Sequence, residues 1–600
     1  MNRFFKYLRI NLKIIGRKLF IFLSSRIELR TFIIISSLIV GVLSGLASAL
    51  LKNFVKFLEE EPKVYLNHLN LGIILPFFPL IGIILSVLVI KLFFNGKLSK
   101  GISNIIYIIM RKKSDIPGKD IFSHYITSGL SIGFGGSAGL EAPIVITGAA
   151  IGSNLAKGLK FNYRTRTILL ACGSAAGISA IFNSPIAGVI FAIEVLLPEF
   201  SIPHFIPLLI ASASAAVVSK FLYSGQIFYL VTVGWELNAI PFYVILGILC
   251  GLISFYNIRA TFYIENFFEI FKKYRFKILL GGLLLCALVF ILPSLYGEGY
   301  LSVKNLLAGQ FDRILPSDFK IKFIDKNLLL IIFAGLIIIS KVIATALTTS
   351  SGGNGGIIAP SLFTGAFTGF FLAHLMGYLG IAQLNHSNFI VVGMAGVLSG
   401  VLHAPLTGIF LIAEITGGYT LIVPLMIVTA LSFFISRYFH HESIYSAPLG
   451  KRGIIFRSDK EKYDIQQIKI NRIIESDFVV IHPTTTLREI VDKIIHSKRN
   501  LFPVVNDSGK LVGIITLNDI REVMLNNDLY DVILAYEIMN TDFHSIDINT
   551  EINKVLEEFE VNDLWNLAIT ENGKYKGFIS KSNIFNKYLT SWTKMESEDI

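Results

Sequence analysis

The chain has 600 residues, of which 53% are hydrophobic and only 16% are charged. A soluble protein usually has about 25% charged residues, so the composition excludes an ordinary soluble protein. The formal net charge of +12 does not indicate a nucleic-acid partner, because many of the cations lie in one segment before the first long apolar run.

Residues 1–30 form that basic segment, with eight Lys or Arg residues and one acidic residue, Glu28. Basic residues flanking a membrane span remain in the cytoplasm by the positive-inside rule. We therefore predict an integral protein of the plasma or inner membrane with both termini in the cytoplasm. The same charges can also contact anionic membrane lipid, although a topology signal alone explains them.

Residues 31–450 are predicted to form a helical membrane domain. A bilayer crossing takes roughly 20 apolar residues, and runs of about that length recur at Phe32–Leu51, Leu71–Phe94, Phe205–Phe221, Leu328–Ile343 and Leu421–Phe439. Other apolar runs are broken by glycine and proline. Broken helices at membrane depth are tolerated where they line a cavity or are buried in protein, and they are typical of transporters built from inverted repeats.

One glycine-rich stretch occurs twice. Gly135–Gly152 reads GGSAGLEAPIVITGAAIG and Gly352–Gly369 reads GGNGGIIAPSLFTGAFTG, with 9 of 18 positions identical. The Ala-Pro step predicts a helix start, whose free amides and dipole favour an anion. The first copy also holds Glu141, and a carboxylate inside an apolar segment is costly and by default functional. The alternative for Glu141 is a structural ion pair with a lysine.

A second pair of segments repeats in the same order. Asn183–Glu194 reads NSPIAGVIFAIE and His403–Glu414 reads HAPLTGIFLIAE. The first pair of segments is offset by 217 residues and the second by 220. Two matches at nearly one offset predict duplicated halves related by a pseudo-two-fold axis, rather than chance similarity between glycine-rich helices.

Residues 451–600 form a charged linker and tail in which no run can span a membrane. The tail contains two similar units, about 470–525 and 535–590, each predicted as helix, strand, turn, strand and helix. The turns Asn506–Gly509 and Glu571–Gly573 have the composition expected of hairpins. The first unit is predicted to end in a helix over Leu517–Met524. We therefore expect a soluble α/β tandem.

These motifs resemble a known family. Gly139–Pro143, Gly356–Pro360 and Asn183–Pro185 are similar to the signature segments of CLC chloride channels and chloride/proton antiporters, and the tail resembles a pair of CBS domains. The resemblance covers roughly Thr31 to Gly450. It implies a polytopic α-helical membrane fold with a CLC-type inverted repeat and broken helices, followed by a cytoplasmic α/β CBS pair. It also implies a homodimer that transports chloride and other small anions, with one pathway in each subunit and no required cofactor.

The resemblance assigns roles to individual residues. The glutamate that matches Glu141 is the gate, and the amides that match Ile357 and Ile358 bind the central anion. Tyr445 matches a tyrosine whose hydroxyl donates to that anion, whereas without the resemblance an interfacial aromatic is the default. The remaining predicted anion-binding residues are Lys100, Gly101 and Gly139.

Two departures from the family pattern concern charge near the gate. Lys100 stands where the family has a coordinating serine, and Leu140 stands where it has an arginine before the gating glutamate. One hypothesis is that Lys100 replaces the field of the lost arginine at the pore. The alternative, which we weigh equally, is that Lys100 faces solvent in a basic cytoplasmic loop, since lysine readily snorkels to an interface.

A third departure concerns proton coupling. Antiporters of the family usually carry a second glutamate directly after the residue that matches Glu194, and this position is Val195. Valine cannot relay a proton, so this residue favours a passive channel, although a water wire can replace the glutamate. Glu194 and Glu414 are interpreted as structural carboxylates, within the fold or near the subunit contact.

In the tail, Thr516 and Asp519 match the CBS pattern in which a hydroxyl and an aspartate hold a nucleotide. Carboxylates do accept hydrogen bonds from ribose hydroxyls. The second unit has Asn583 at the aspartate position, which weakens the same prediction there. An adenine-nucleotide sensor and a structural, dimer-forming CBS pair both remain open.

The sequence leaves four functions of the whole chain to distinguish. The preferred one is an anion channel gated by Glu141, and the second is a chloride/proton antiporter of the same fold. A cation carrier with CBS domains would need more intramembrane carboxylates than Glu141, Glu194 and Glu414 in separate segments. An enzyme is not expected, because the sequence has no metal-ligand histidine spacing and no nucleophile motif with a partner base.

Overall fold

The computed structural model describes residues 29–68, 72–94, 96, 98, 101–110, 114–197, 205–223, 225, 234–271, 273–315, 325–451, 470–497, 499–521, 523–550, 552–562 and 564–584. Lys100, most of the basic N-terminal segment and residues 452–469 of the linker lie outside these ranges. The chain divides into two compact units, Met1–Ile454 and Ile455–Ile600.

The described residues of the first unit form helices joined by turns and loops, and none of them forms a β-strand. Its α-helices, in chain order, are α1 Leu29–His68, α2 Phe78–Phe93, α3 Gly101–Met110, α4 Asp120–Gly133, α5 Glu141–Gly158, α6 Tyr163–Phe182, α7 Pro185–Phe191, α8 Phe205–Leu222, α9 Ile240–Glu269, α10 Tyr274–Ile291, α11 Tyr300–Leu307, α12 Lys326–Ser350, α13 Ile358–Tyr378, α14 His386–Leu402, α15 Pro405–Ile415, α16 Ile422–Phe439 and α17 Ala447–Lys451.

Among the described residues, nine helices are long and apolar enough to cross a membrane. Several other helices are too short, including α3, α7, α14 and α15. Prolines explain two of these breaks, since Pro185 and Pro405 are each the first residue of a helix, where a missing N–H costs nothing. The unit therefore combines full spans with broken helices, as the sequence predicts.

The helices that follow the two glycine-rich stretches form the centre of the unit. Buried residues make up 13 of the 18 residues of α5 and 15 of the 21 residues of α13, against 5 of the 16 residues of α2. α5 crosses α6 at Gly148 and Gly173, and α13 crosses α14 at the equivalent glycines Gly365 and Gly393. A side chain at any of these four positions would collide with the backbone of the facing helix. The same close crossing thus occurs once in each repeat.

The second unit contains two small sheets. Its elements are α18 Leu487–Ile495, β1 Leu501–Val505, β2 Leu511–Thr516, α19 Leu517–Ile520, α20 Ala535–Ile538, β3 Ser545–Asp547, α21 Ile552–Val561, β4 Asn566–Glu571 and β5 Lys574–Ser580. β1 and β2 are antiparallel. β4 pairs with β3 in parallel and with β5 in antiparallel orientation. The predicted hairpins are confirmed, but the helix predicted over Leu517–Met524 ends at Ile520.

Candidate functional site

The two glycine-rich stretches meet at one point in the membrane unit. Gly139 N–H donates to the Gly356 carbonyl at 2.9 Å, and Gly356 N–H donates back to the Gly139 carbonyl at 2.6 Å. These glycines occupy equivalent positions in the repeat, so the contact is symmetric. Gly135 and Gly352 are also equivalent, and both have left-handed backbones with φ of 89° and 107°, which suits glycine. The sequence repeat is therefore also a repeat of backbone conformation.

Each stretch leads into a helix that begins at the site. Glu141 is the first residue of α5, and its counterpart Ile358 is the first residue of α13. Glu141 is fully buried and Ile358 is 2% exposed, whereas Ile357 is partly exposed. The first amides of an α-helix have no intrahelical acceptor. The site thus brings together two helix starts, one of which carries a carboxylate.

The two oxygens of the Glu141 carboxylate differ in their hydrogen bonding. Tyr300 Oη donates to Oε1 at 2.7 Å, whereas Oε2 has no hydrogen-bond partner within the part of the chain that the structure describes. The backbone amide of Ala359, in the first turn of α13, also interacts with this carboxylate. A negative charge on Glu141 therefore faces the helix start of the other repeat, and no lysine pairs with it among the described residues.

Tyr445 lies near the same site. It is 5% exposed, which disfavours an interfacial aromatic, and it interacts electrostatically with Glu141. Its hydroxyl has no hydrogen-bond partner among the residues described. The hydroxyl is thus a buried donor without a protein acceptor among the described residues, and its role in anion binding stays a prediction.

Gly101, another predicted anion-binding residue, is the first residue of α3 and has a φ of 67°. α3 packs against α5 and α17, so Gly101 belongs to a helix that contacts the helix carrying Glu141. Lys100 lies outside the described residues, and its pore and solvent positions remain alternatives.

Three residues outside the predicted motifs, Glu298, Tyr300 and Lys341, lie at the site or directly behind it. Leu140 N–H donates to Glu298 Oε1 at 3.1 Å, and Tyr300 follows two residues later. Lys341 is fully buried on α12 and donates to the Gly297 carbonyl at 2.9 Å. The sequence does contain a feature that marks Lys341, because a cation is costly inside an apolar run such as Leu328–Ile343. Glu298 lies between two glycines outside any long apolar run, and no motif marks Tyr300.

Glu194 and Glu414 form reciprocal contacts away from Glu141. Glu414 accepts from the Ile186 and Ala187 amides at 3.0 and 2.9 Å, at the start of α7. Glu194 accepts from the equivalent amides of Leu406 and Thr407 at 3.1 and 2.8 Å, at the start of α15, and from the Thr407 hydroxyl at 2.7 Å. Each repeat thus caps a helix of the other, in agreement with the structural role predicted for both carboxylates.

The tail residues Thr516 and Asp519 lie in the other unit, at the start of α19. Asp519 Oδ2 accepts from the Thr516 amide and hydroxyl, both at 2.7 Å. The bond from the Thr516 amide is one half of a capping box, and it stabilises the helix start locally. Asp519 is exposed and Thr516 is half-buried, and nucleotide binding stays a prediction beside this local role.

Comparison with known proteins adds the following. The family model described as voltage gated chloride channel matches residues 81–437, and the CBS domain model matches residues 470–526 and 535–590. Chloride channel protein CLC-f of Arabidopsis thaliana is 27% identical over 459 residues, which cover 67% of this chain and 57% of that protein. The H(+)/Cl(-) exchange transporter ClcA of Yersinia pestis bv. Antiqua (strain Angola) is 30% identical over 337 residues, covering 54% of this chain and 66% of that protein.

Solved structures show the same fold. The crystal structure of a eukaryotic CLC transporter aligns with a TM-score of 0.60 and covers 93% of this chain and 99% of that chain, at 19% identity. The crystal structure of a CLC-type fluoride/proton antiporter aligns with a TM-score of 0.56 at 25% identity and covers 69% of this chain and 97% of that chain. The predicted fold class is confirmed: a polytopic helical membrane protein with broken helices, followed by an α/β CBS pair.

Proposed function

The chain belongs to the voltage gated chloride channel family, which comprises anion channels and transporters rather than enzymes, and we propose that it conducts chloride passively under the control of Glu141. The observation that carries this proposal is the buried Glu141 carboxylate, which lies at one helix start and interacts with the helix start of the other repeat.

The proposed mechanism is competition between two negative charges for the same amides. The dipoles and free N–H groups of α5 and α13 favour an anion, and the amides of Ile357 and Ile358 and the Tyr445 hydroxyl supply neutral donors. Ionised Glu141 occupies the site, with the Tyr300 hydroxyl on Oε1. Protonated Glu141 carries no charge and gives up the site, so a chloride ion can take its place. Neutral donors bind chloride without trapping it, as conduction requires.

Passive conduction is supported by the residues that could extend a proton path. Val195 has no titratable group. Both oxygens of Glu194 accept hydrogen bonds from the start of α15, so this carboxylate is engaged in capping. A second candidate function is chloride/proton antiport, which is favoured by the 30% identity to a protein named as an H(+)/Cl(-) exchange transporter.

A flux assay in liposomes separates these functions. Purified protein is reconstituted with an outward chloride gradient, and chloride efflux and internal pH are recorded together. A channel gives chloride efflux without proton movement against its gradient, whereas uphill proton movement driven by chloride would establish the antiporter. Glu141→Gln, which mimics the protonated gate, should transport chloride at a rate independent of pH. Transport with the wild-type pH dependence in this variant would reject Glu141 as the gate.

The proposal extends to the assembly and its surroundings. We infer a homodimer with one anion pathway in each protomer, inserted in the plasma or inner membrane with the CBS tail in the cytoplasm. Adenine nucleotide is the proposed ligand of the tail at Thr516 and Asp519. Cross-linking in native membranes tests the dimer, and a cysteine placed in the tail and labelled from one side only tests the topology.

A further inference from the structure

The segment Leu295–Tyr300, which we call the latch, connects α10 to α11 and lies against the start of α5. Gly297 N–H donates to the Gly135 carbonyl at 3.0 Å. Glu298 Oε1 accepts from Leu140 N–H at 3.1 Å, and Tyr300 Oη donates to Glu141 Oε1 at 2.7 Å. Three successive contacts thus join the latch to the loop before Glu141, to the residue preceding Glu141 and to Glu141 itself.

The latch is fixed on its other side by α12. Lys341 is fully buried, and its ammonium donates to the Gly297 carbonyl at 2.9 Å and lies 4.8 Å from the centre of the Phe363 ring. A buried ammonium is stable only where hydrogen bonds and an opposite charge compensate its lost hydration. Glu298, directly after Gly297, is the acidic residue that interacts electrostatically with this ammonium. The latch is therefore bonded to α12 on one side and to the start of α5 on the other.

Two carboxylates share this environment. Glu298 is bonded to the amide that precedes Glu141, and the two groups interact electrostatically. Like charges near each other in a desolvated site disfavour double ionisation. Other titratable groups interact electrostatically with the pair. Tyr445 interacts with Glu141, and Tyr300 interacts with both carboxylates. The groups that interact with Glu298 are Lys341 of α12, Lys52 and Glu59 of α1, and Tyr223.

We propose that Tyr300 and Glu298 are positioning residues that set, in opposite directions, the pH at which Glu141 leaves the anion pathway. This inference rests on the proposed gating role of Glu141. The Tyr300 hydroxyl donates to the carboxylate and so favours its ionised, blocking form. Negative charge on Glu298 disfavours that same form. The net pH response of the gate is the balance of these two contacts.

Two isosteric variants separate the contacts. Tyr300→Phe removes the donor, so Glu141 becomes protonated more easily and the midpoint of chloride flux against pH moves to higher pH. A hydrogen bond to a charged group corresponds to a shift of about one to two pH units. Glu298→Gln keeps an acceptor for Leu140 N–H but removes the charge, so the midpoint moves to lower pH by about one unit.

The experiment measures chloride efflux from liposomes containing the full chain over a series of pH values. Tyr256→Phe is the matched control for Tyr300→Phe, because Tyr256 donates to the Ile339 carbonyl at 3.1 Å and not to Glu141. Glu236→Gln is the control for Glu298→Gln, because Glu236 is exposed. Both controls should keep the wild-type midpoint. Efflux at the acidic plateau, where Glu141 is protonated in every variant, reports the amount of folded protein.

The outcomes distinguish this inference from the proposed function. Midpoint shifts of opposite sign support the latch, provided that both shifts vanish when Glu141→Gln is also present. If Glu141→Gln flattens the pH profile while Tyr300→Phe and Glu298→Gln leave the midpoint unchanged, only the latch is wrong. If Glu141→Gln keeps the wild-type profile, the gate is rejected and the latch with it. If one variant shows no efflux at acidic pH, the direction of the midpoint shift in the other variant tests the latch.

Discussion

Replacing Glu194 with alanine removes the acceptor of three hydrogen bonds that join the two repeats. These are the bonds from the Leu406 and Thr407 amides and from the Thr407 hydroxyl. The equivalent replacement of Glu414 removes two bonds, from Ile186 and Ala187. The two positions thus form a matched pair that differs by one hydroxyl contact.

The expected loss in the free energy of unfolding follows from the number of hydrogen bonds removed. A hydrogen bond to a charged group contributes about 1.5–3 kcal/mol, and bonds to one carboxylate are not additive. We therefore expect Glu194→Ala to lower the free energy of unfolding by about 4 kcal/mol and Glu414→Ala by about 3 kcal/mol. Glu194→Gln retains an acceptor and should lie between wild type and Glu194→Ala.

The assay is reversible unfolding of the full chain in mixed micelles of mild detergent and SDS, with chloride flux measured on the refolded fraction. Flux per folded molecule should be unchanged in Glu194→Ala, because a capping carboxylate does not take part in transport. A stability loss below about 1 kcal/mol, the size of a single neutral hydrogen bond, would refute the capping argument. So would a larger loss in Glu414→Ala than in Glu194→Ala. A change in proton coupling with unchanged stability would instead assign Glu194 to a proton path.

Three further predictions concern other parts of the chain. If Lys100 faces the pore, Lys100→Ser changes the chloride/nitrate permeability ratio whereas Lys97→Ser does not; an unchanged ratio would reject the pore position. If the tail binds adenine nucleotide, Asp519→Asn weakens ATP binding measured by calorimetry on the full chain at least tenfold, and equal affinity would leave Asp519 as a helix cap alone. The Arg488 guanidinium, bonded to Asp531 at 2.8 Å, holds the pKa of that exposed carboxyl below its usual value of about 3.9. The pair therefore stabilises the tail above about pH 3.9, and this stabilisation is lost as the pH falls through the lowered pKa. If hydrogen exchange in the tail has the same acid sensitivity in Asp531→Asn as in the wild type, this prediction is wrong.

Much of the membrane unit can be predicted from the sequence because its signals are local. Pro185 and Pro405 mark helix starts through their missing N–H, and the glycines of the repeated stretch predict tight backbone approach. The fixed offset between copies then predicts that equivalent residues face each other, as Gly139 and Gly356 do. Helix bounds in the tail were predicted less well, since α19 ends at Ile520 where local propensity extends it to Met524.

The surroundings of Glu141 could not be predicted, because they depend on contacts between distant segments. Tyr300 is 159 residues away from Glu141 in the chain, and Glu298 is 158 residues away from Leu140. Neither residue lies in a repeat or a motif, and a Gly-Glu-Gly sequence is equally typical of an exposed turn. The capping role of Glu194 and Glu414 was predictable as structural, but the identity of the capped helices required the fold.

The reciprocal caps also constrain when the chain can fold. Ala187 is synthesised 227 residues before Glu414, the carboxylate that accepts its amide. At about 5–20 residues per second, roughly 10–45 s of translation separate them. Throughout that interval the first repeat lies in the bilayer with one helix start uncapped, and its own Glu194 has no helix to cap. We therefore expect the reciprocal caps, and with them the full stability of the membrane unit, to form only after the second repeat has been synthesised.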